Sequence, residues 1–160
     1  MARHSKVEPV LKWAGGKRQL LQEIKKHIPE KYSVYYEPFL GGGAVLFALH
    51  PQKAVVNDIN EELINVYEVI CRYVEELIED LKKHKNEADY FYAIRNLDRD
   101  KEKYNQLSKI EKASRVIYLN KTCYNGLFRV NRRGEFNTPF GRYKNANIVN
   151  ETALRAVSEY

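Results

Sequence analysis

Cysteine is scarce: Cys71 and Cys123 are the only two in 160 residues. Two thiols so far apart supply neither a disulfide framework nor a zinc site, so no metal is expected. A reduced, cytoplasmic protein is the expected setting, with buried filler favoured over catalysis for each thiol. Long apolar runs are missing as well. None approaches the ~20 residues that a membrane-spanning helix needs, and Met1 to Lys6 lead into no signal-peptide core. No Gly-Lys-Ser or Gly-Lys-Thr occurs, which excludes a Walker phosphate loop. The prolines, at 9, 29, 38, 51 and 139, are never adjacent. Internal repeats and low-complexity stretches are absent.

What is present suits a folded domain: 44% hydrophobic and 30% charged residues. The length allows one good core, or one core with an appended lobe. The chain is organised around Glu37-Pro38-Phe39-Leu40-Gly41-Gly42-Gly43. An aromatic run, Tyr32 to Tyr36, reads as a strand before it, and Ala44 to Leu49 read as a short helix after it. Strand, glycine loop and helix let a ligand approach the backbone, because glycine has no Cβ and tolerates positive φ. A second apolar run, Ala54 to Val56, ends near Asp58, where a carboxylate can accept hydrogen bonds from a ribose. A dinucleotide fingerprint beginning at Gly41 needs glycine at 46, and the chain has Leu46. A nucleoside without a pyrophosphate, such as S-adenosylmethionine, fits better. The plainer alternative is a turn that needs glycine for steric reasons alone.

Before the loop, Lys12-Trp13-Ala14-Gly15-Gly16-Lys17 leads into a helical pattern, Leu20, Leu21, Ile24 and Ile28. Trp13 beside two glycines reads as a core residue at a turn or as an aromatic face for a ligand. After Asp58, Asn60 is a helix cap. The apolar face from Leu63 to Leu81 predicts one helix or two in series, and residues 89–95 open another. Residues 98–106 read as a polar loop. Ser108 and Glu111 form a capping box for a helix ending between Asn120 and Asn125, with Gly126 as a stop. A last helix starts at Asn150.

Charge is concentrated rather than spread. The net charge is +6, and residues 120–147 hold six cations (Lys121, Arg129, Arg132, Arg133, Arg142, Lys144) against one acid, Glu135. Within this window, residues 127–131 and 135–137 flank Arg132-Arg133-Gly134, the pattern of a short hairpin with a three-residue connection. A two-stranded ribbon fits a major groove, where arginine pairs with guanine through two hydrogen bonds. Arg129 stands mid-strand for that role. Arg132 and Arg133 at the tip, and Arg142 and Lys144 beyond it, suit phosphates. Tyr124 and Asn125 are placed to wedge into a base step. A solvated basic hairpin with no partner is the alternative.

Together these stretches resemble Dam-type DNA adenine methyltransferases. Residues 12–17, 37–43 and 57–60 are similar to that family's opening motifs, and 120–131 with 134–143 to its target-recognition hairpin. The resemblance implies an α/β fold: a partial, Rossmann-like S-adenosylmethionine-dependent methyltransferase with an inserted helical lobe and a basic β-hairpin. It divides the chain into a partial cofactor domain, 1–60 with 148–160, and a target-recognition domain, 61–147, with the hairpin at 127–137. It implies that Trp13, Lys17, Phe39, Gly41 to Gly43 and Asp58 contact the cofactor. It assigns Leu127, Arg129 and Pro139 to base edges and Lys12 to a flanking guanine. Tyr124 and Asn125 fall near the flipped adenine, and Arg142 and Tyr143 on the DNA backbone. The partner implied is double-stranded DNA with GATC as target, in a protein associated with the nucleoid.

One family motif is missing. Asp-Pro-Pro-Tyr or a close variant holds the reacting amine, and a chain without adjacent prolines lacks it. No residue is therefore assigned a catalytic role. The expectation is an N-terminal part of a methyltransferase, inactive alone, with a C-terminal half supplying the motif. The competing expectations are a catalytically dead DNA-binding module and a nicotinamide-dependent oxidoreductase. Leu46 and the basic hairpin disfavour the oxidoreductase.

Overall fold

The computed structural model describes residues 7–160. The reading of Met1 to Lys6 as no part of a signal peptide lies outside them. No helix among the described residues is long and apolar enough to cross a membrane.

A turn of 3-10 helix, Lys17–Leu20, runs into α1 (Leu21–His27). Next come β1 (Tyr35–Glu37), α2 (Ala44–Leu49) and β2 (Ala54–Val56). The strands are parallel, with Tyr35 opposite Ala54 and Glu37 opposite Val56. This β-α-β unit is the small parallel sheet of an α/β protein. The first strand begins three residues later than the aromatic run suggests. Its backbone bonding starts where Tyr35 N donates to Lys53 O at 2.9 Å, and it extends into Glu37. Apolar side chains remain uncovered: Tyr36 is 68% exposed and Val55 54%.

Helices follow: α3 (Glu61–Arg72), α4 (Val74–Leu81), α5 (Ala88–Arg95), α6 (Lys101–Gln106), α7 (Lys109–Thr122) and α8 (Glu151–Glu159). Asn60 caps α3 by accepting from Leu63 N, and Asn150 caps α8 by accepting from Ala153 N. Both halves of the Ser108–Glu111 capping box form on α7. The apolar face from Leu63 to Leu81 belongs to two helices, since Tyr73 leaves helical geometry at φ −142°.

Two expectations are corrected. Residues 98–106 are no loop: a 3-10 turn, Asn96–Arg99, leads to α6, which Asp100 caps by accepting from Lys103 N. Polar composition hid it because Asp98 is spent on a buried ion pair rather than on water. Cys71 is exposed, unlike the buried Cys123.

The main core joins Leu63, Val66 and Ile70 of α3, Leu77, Ile78 and Leu81 of α4, and Val116 and Ile117 of α7. Leu154 and Val157 of α8 and Leu40, Leu46 and Phe47 beside the glycine loop close it. Each such side chain contributes about 1.5–3 kcal/mol by leaving water. A second cluster, Phe91, Tyr118, Leu119, Cys123 and Phe136, lies at the other end of α7. The two ends of the molecule that carry the candidate sites thus rest on one helix.

Candidate cofactor loop and nucleic-acid interface

The glycine loop is pinned to the end of β2 by its backbone. Asn57 N donates to Glu37 O and Leu40 N donates to Asn57 O, both at 2.9 Å. Asp58 completes the clamp, its Oδ2 accepting from Gly41 N at 2.8 Å and its Oδ1 from Asn60 N at 3.0 Å. Each oxygen keeps a further lone pair for a ligand hydroxyl. Gly41 has φ +54°, and a Cβ there would sit 3.3 Å from Trp13 Cδ1. Only glycine allows both the turn and the tryptophan packed on it.

Lys17 crosses the loop from the other side. Its amine donates to Phe39 O at 2.6 Å and stands 3.3 Å from Glu37 Oε1. Glu37 is 5% exposed, and its Oε2 has no hydrogen-bond partner among the described residues. Tyr67 Oη is likewise buried and without one. Burial, and then the carboxylates of Glu37 and Asp58, push the Tyr67 phenol well above its ordinary pKa, so it stays a neutral donor. Phe39 projects into solvent at 73% exposure. A buried carboxylate oxygen awaiting a donor, an ammonium and an exposed aromatic ring together suit a zwitterionic nucleoside. Glu37 was read from the sequence only as part of the loop. Its place as the last residue of β1 buries its carboxylate beside the loop.

Trp13 connects this loop to the basic region. Its ring stacks on Phe128, with centroids 4.9 Å apart and 27° between planes. Asn120, 3% exposed, makes the second link. Its Oδ1 accepts from Lys12 N at 3.0 Å, and its Nδ2 donates to Lys12 O at 2.8 Å and to Gly126 O at 3.0 Å. Gly126 has φ +64°, and a Cβ would fall 2.7 Å from Lys12 Cδ. The sequence reading placed Asn120 only at the helix end and at the start of the stretch 120–131; its one signal as a buried joint is an amide directly after the apolar run Val116 to Leu119. Lys121, counted above with the surface cations, is turned inward. Its amine donates to Val10 O at 2.5 Å, and burial, then Lys12, lowers its pKa.

The ribbon is narrower than a regular hairpin. A single antiparallel bridge, Val130 with Phe136, lies between Asn137 N donating to Arg129 O and Asn131 N donating to Glu135 O, each at 2.9 Å. Asn131 shapes the tip, its Oδ1 accepting from Arg133 N at 2.9 Å and Glu135 N at 3.1 Å. Arg132 and Arg133 are exposed there. Arg129 is exposed but tethered: Nε donates to Asn137 Oδ1 at 2.7 Å and Nη2 to Asn137 O at 3.2 Å.

Tyr124 is 57% exposed, and its N–H donates to Pro139 O at 2.8 Å. Asn125 takes φ +55° in the turn, where its N–H donates to Tyr143 Oη at 2.8 Å. Tyr143, expected on the DNA backbone, therefore braces this turn, and its own carbonyl accepts from Asn86 Nδ2 at 2.7 Å. Arg142 and Leu127 are exposed. Trp13, Lys17, Phe39, Gly41, Gly43 and Asp58 gather at the loop. Tyr124, Asn125, Leu127, Arg129, Pro139, Arg142 and Tyr143 gather around the ribbon. Arg132 stands apart at the tip, and Lys12 adjoins the Asn125–Gly126 turn.

The profile of the D12 class N6 adenine-specific DNA methyltransferases matches residues 13–160. A type II methyltransferase of Lactococcus lactis subsp. cremoris is 47% identical over 156 residues, covering 96% of this chain and 55% of the relative. One of Methanocaldococcus jannaschii is 43% identical over 171 residues, covering 96% of this chain and 58% of its own. A DNA adenine methylase of Serratia marcescens is 40% identical over 139 residues, covering 84% and 49%. The chain thus spans about half the length of the relatives it matches. By the match of nearly its whole length, the chain belongs to the D12 class N6 adenine-specific DNA methyltransferase family.

Proposed function

We infer that this chain carries the methyl-donor and DNA-reading parts of a site-specific DNA adenine methyltransferase. The donor is S-adenosylmethionine, the acceptor the exocyclic amine of adenine in double-stranded DNA, and GATC the target. The observation that carries the reading is the joining of a nucleoside-type loop to an exposed basic ribbon through Trp13, Phe128 and Asn120.

The loop residues fit the donor. Glu37 Oε2 offers an acceptor for an ammonium, Lys17 a counter-charge for a carboxylate, Asp58 an acceptor for ribose hydroxyls and Phe39 a face for adenine. When bound, S-adenosylmethionine supplies an electrophilic methyl group. The chain's part is to hold that donor beside a base taken out of the stack, with Tyr124 and Asn125 occupying the gap. Residues 1–60 with 148–160 form the donor half of a Rossmann-like fold in this reading. Residues 61–147 form a helical recognition lobe with the ribbon at 127–137. Arg129, Leu127 and Pro139 read base edges, Lys12 a flanking guanine, and Arg132, Arg142 and Tyr143 the backbone. The work is intracellular, at the nucleoid.

The adenine amine is a weak nucleophile, since its lone pair is delocalised into the ring. The chain has no Asp-Pro-Pro-Tyr to hold it. A C-terminal half would supply that motif, and the exposed Tyr36, Val55 and Val56 are a surface it would cover. The second reading is an inactive sequence-specific DNA-binding module, and complementation separates the two.

The test is binding, followed by complementation. The chain is expected to bind S-adenosylmethionine in equilibrium dialysis and to prefer a GATC duplex over a scrambled one. Arg129→Ala should cost about 1–3 kcal/mol on the GATC duplex and little on the scrambled one. Equal losses on both would reduce Arg129 to a phosphate contact. Methyl transfer that appears only on adding a candidate C-terminal half supports the enzyme. Methyl transfer by the 160-residue chain alone would refute the need for that half.

A further inference from the structure

The backbone groups of Phe136 face away from the ribbon strand that carries Arg129. The ribbon's hydrogen bonds join residues 129 with 137 and 131 with 135, so Val130 and Phe136 are a non-hydrogen-bonded pair. The N–H and C=O of Phe136 then form an open edge, which another strand or water would ordinarily satisfy. Two side chains take that place. Asp98 Oδ2 accepts from Phe136 N at 2.8 Å, and Arg99 Nη2 donates to Phe136 O at 2.6 Å.

This clamp is anchored in the interior. Asp98 Oδ2 lies 2.7 Å from Arg115 Nη2, and Asp98 Oδ1 accepts from Arg99 Nη1. Arg115 is 2% exposed and also donates to Ile94 O at 3.0 Å and Arg95 O at 2.8 Å. The Phe136 ring is buried in the second cluster and meets Phe128 edge-on at 5.5 Å. One residue further, Asn137 holds the guanidinium of Arg129 at two points. An unbroken series of bonds thus runs from Arg115 through Asp98, Phe136 and Asn137 to Arg129.

The geometry points to Asp98 and Arg99 as positioning residues that set the sequence discrimination of Arg129. This rests on the reading of the ribbon as the DNA reader. A two-pronged pairing with a base depends on the direction of the guanidinium plane, whereas a phosphate contact tolerates a tilted one. Loosening the clamp therefore costs discrimination first and general affinity last.

Arg99→Gln tests this on the full chain, by fluorescence anisotropy with a GATC duplex and a scrambled duplex. The ratio of the two affinities should fall roughly tenfold, within the range of one two-pronged contact. Affinity for the scrambled duplex and its salt dependence should match the wild type. Combined with Arg129→Ala, Arg99→Gln should lower the ratio no further, because both act through one contact. Asp98→Asn should behave similarly, but it leaves the buried Arg115 with only the Glu62 carboxylate, 4.0 Å away, so Arg99→Gln decides the matter. Equal loss on both duplexes would make Arg99 a phosphate contact and overturn the inference, as would additive losses in the double variant. An unchanged ratio in Arg99→Gln beside a discriminating wild type overturns the clamp alone. A wild type that binds both duplexes alike overturns the ribbon reading, and the clamp's role with it.

Discussion

Asn120→Ala should destabilise the protein and uncouple its two candidate sites together. The side chain makes three hydrogen bonds, two to Lys12 and one to Gly126 O. The Gly126 carbonyl is buried, and leaving it unpaired costs about 1–3 kcal/mol. The two bonds to Lys12 lie nearer the surface, where water replaces part of what is lost, so each adds about 0.5–1 kcal/mol. The expected total is about 2–5 kcal/mol, a large share of the about 5–15 kcal/mol typical of a domain. Equilibrium unfolding in urea measures it, as a midpoint lower by roughly 1–2.5 M at a slope of about 2 kcal/mol/M. Trp13, the only tryptophan, supplies a local readout. It follows Lys12 directly and stacks on Phe128, so its emission in the folded variant should shift towards that of a wetter indole. Asn120→Asp separates the contributions, since it keeps the acceptor for Lys12 N and loses both donors. A loss under about 0.5 kcal/mol with unchanged Trp13 emission would refute the account, because water would then be replacing all three bonds.

Asp58→Ala should weaken S-adenosylmethionine binding by about 1.5–3 kcal/mol, through loss of the ribose acceptor and release of Gly41 N, and leave scrambled-duplex affinity unchanged. Unaltered cofactor affinity in dialysis would end the assignment. His84 predicts acid sensitivity. It stacks on Tyr118 between Tyr90 Oη at 2.9 Å and Ser114 Oγ at 3.0 Å, and burial lowers its pKa to about 4, with Asp80 and then Lys83 acting in opposite directions. Between that value and the ordinary 6.5 the unfolded chain binds the extra proton, so stability is lost as pH falls through this window. The ceiling is about 1.4 kcal/mol per pH unit, reduced by the solvent contact His84 retains. His84→Gln should flatten the dependence of the urea midpoint on pH, and an unchanged slope would show that other groups cause it.

The sequence by itself determined the local pieces whose chemistry is carried by a few neighbouring residues. The capping box at Ser108, the cap at Asn60 and the glycine loop between a strand and a helix follow from side-chain reach and backbone freedom within a turn. The family was legible for the same reason, since its motifs are contiguous. The second strand is where its apolar run placed it, while the first lies later because its ends depend on a partner, Lys53 O, that periodicity cannot see. Only the tertiary structure decided what the polar residues between those pieces do. Asp98 reads as a loop acid until Arg115, seventeen positions away, gives it a buried partner. Lys121 counts as a surface cation until Val10 O turns it inward. Asn120 and Asn137 look like loop-flanking amides until their bonds to Lys12, Gly126 and Arg129 make them the joints of the two sites. A buried polar group must find a partner, and which one is fixed by how distant segments pack rather than by its neighbours in the chain.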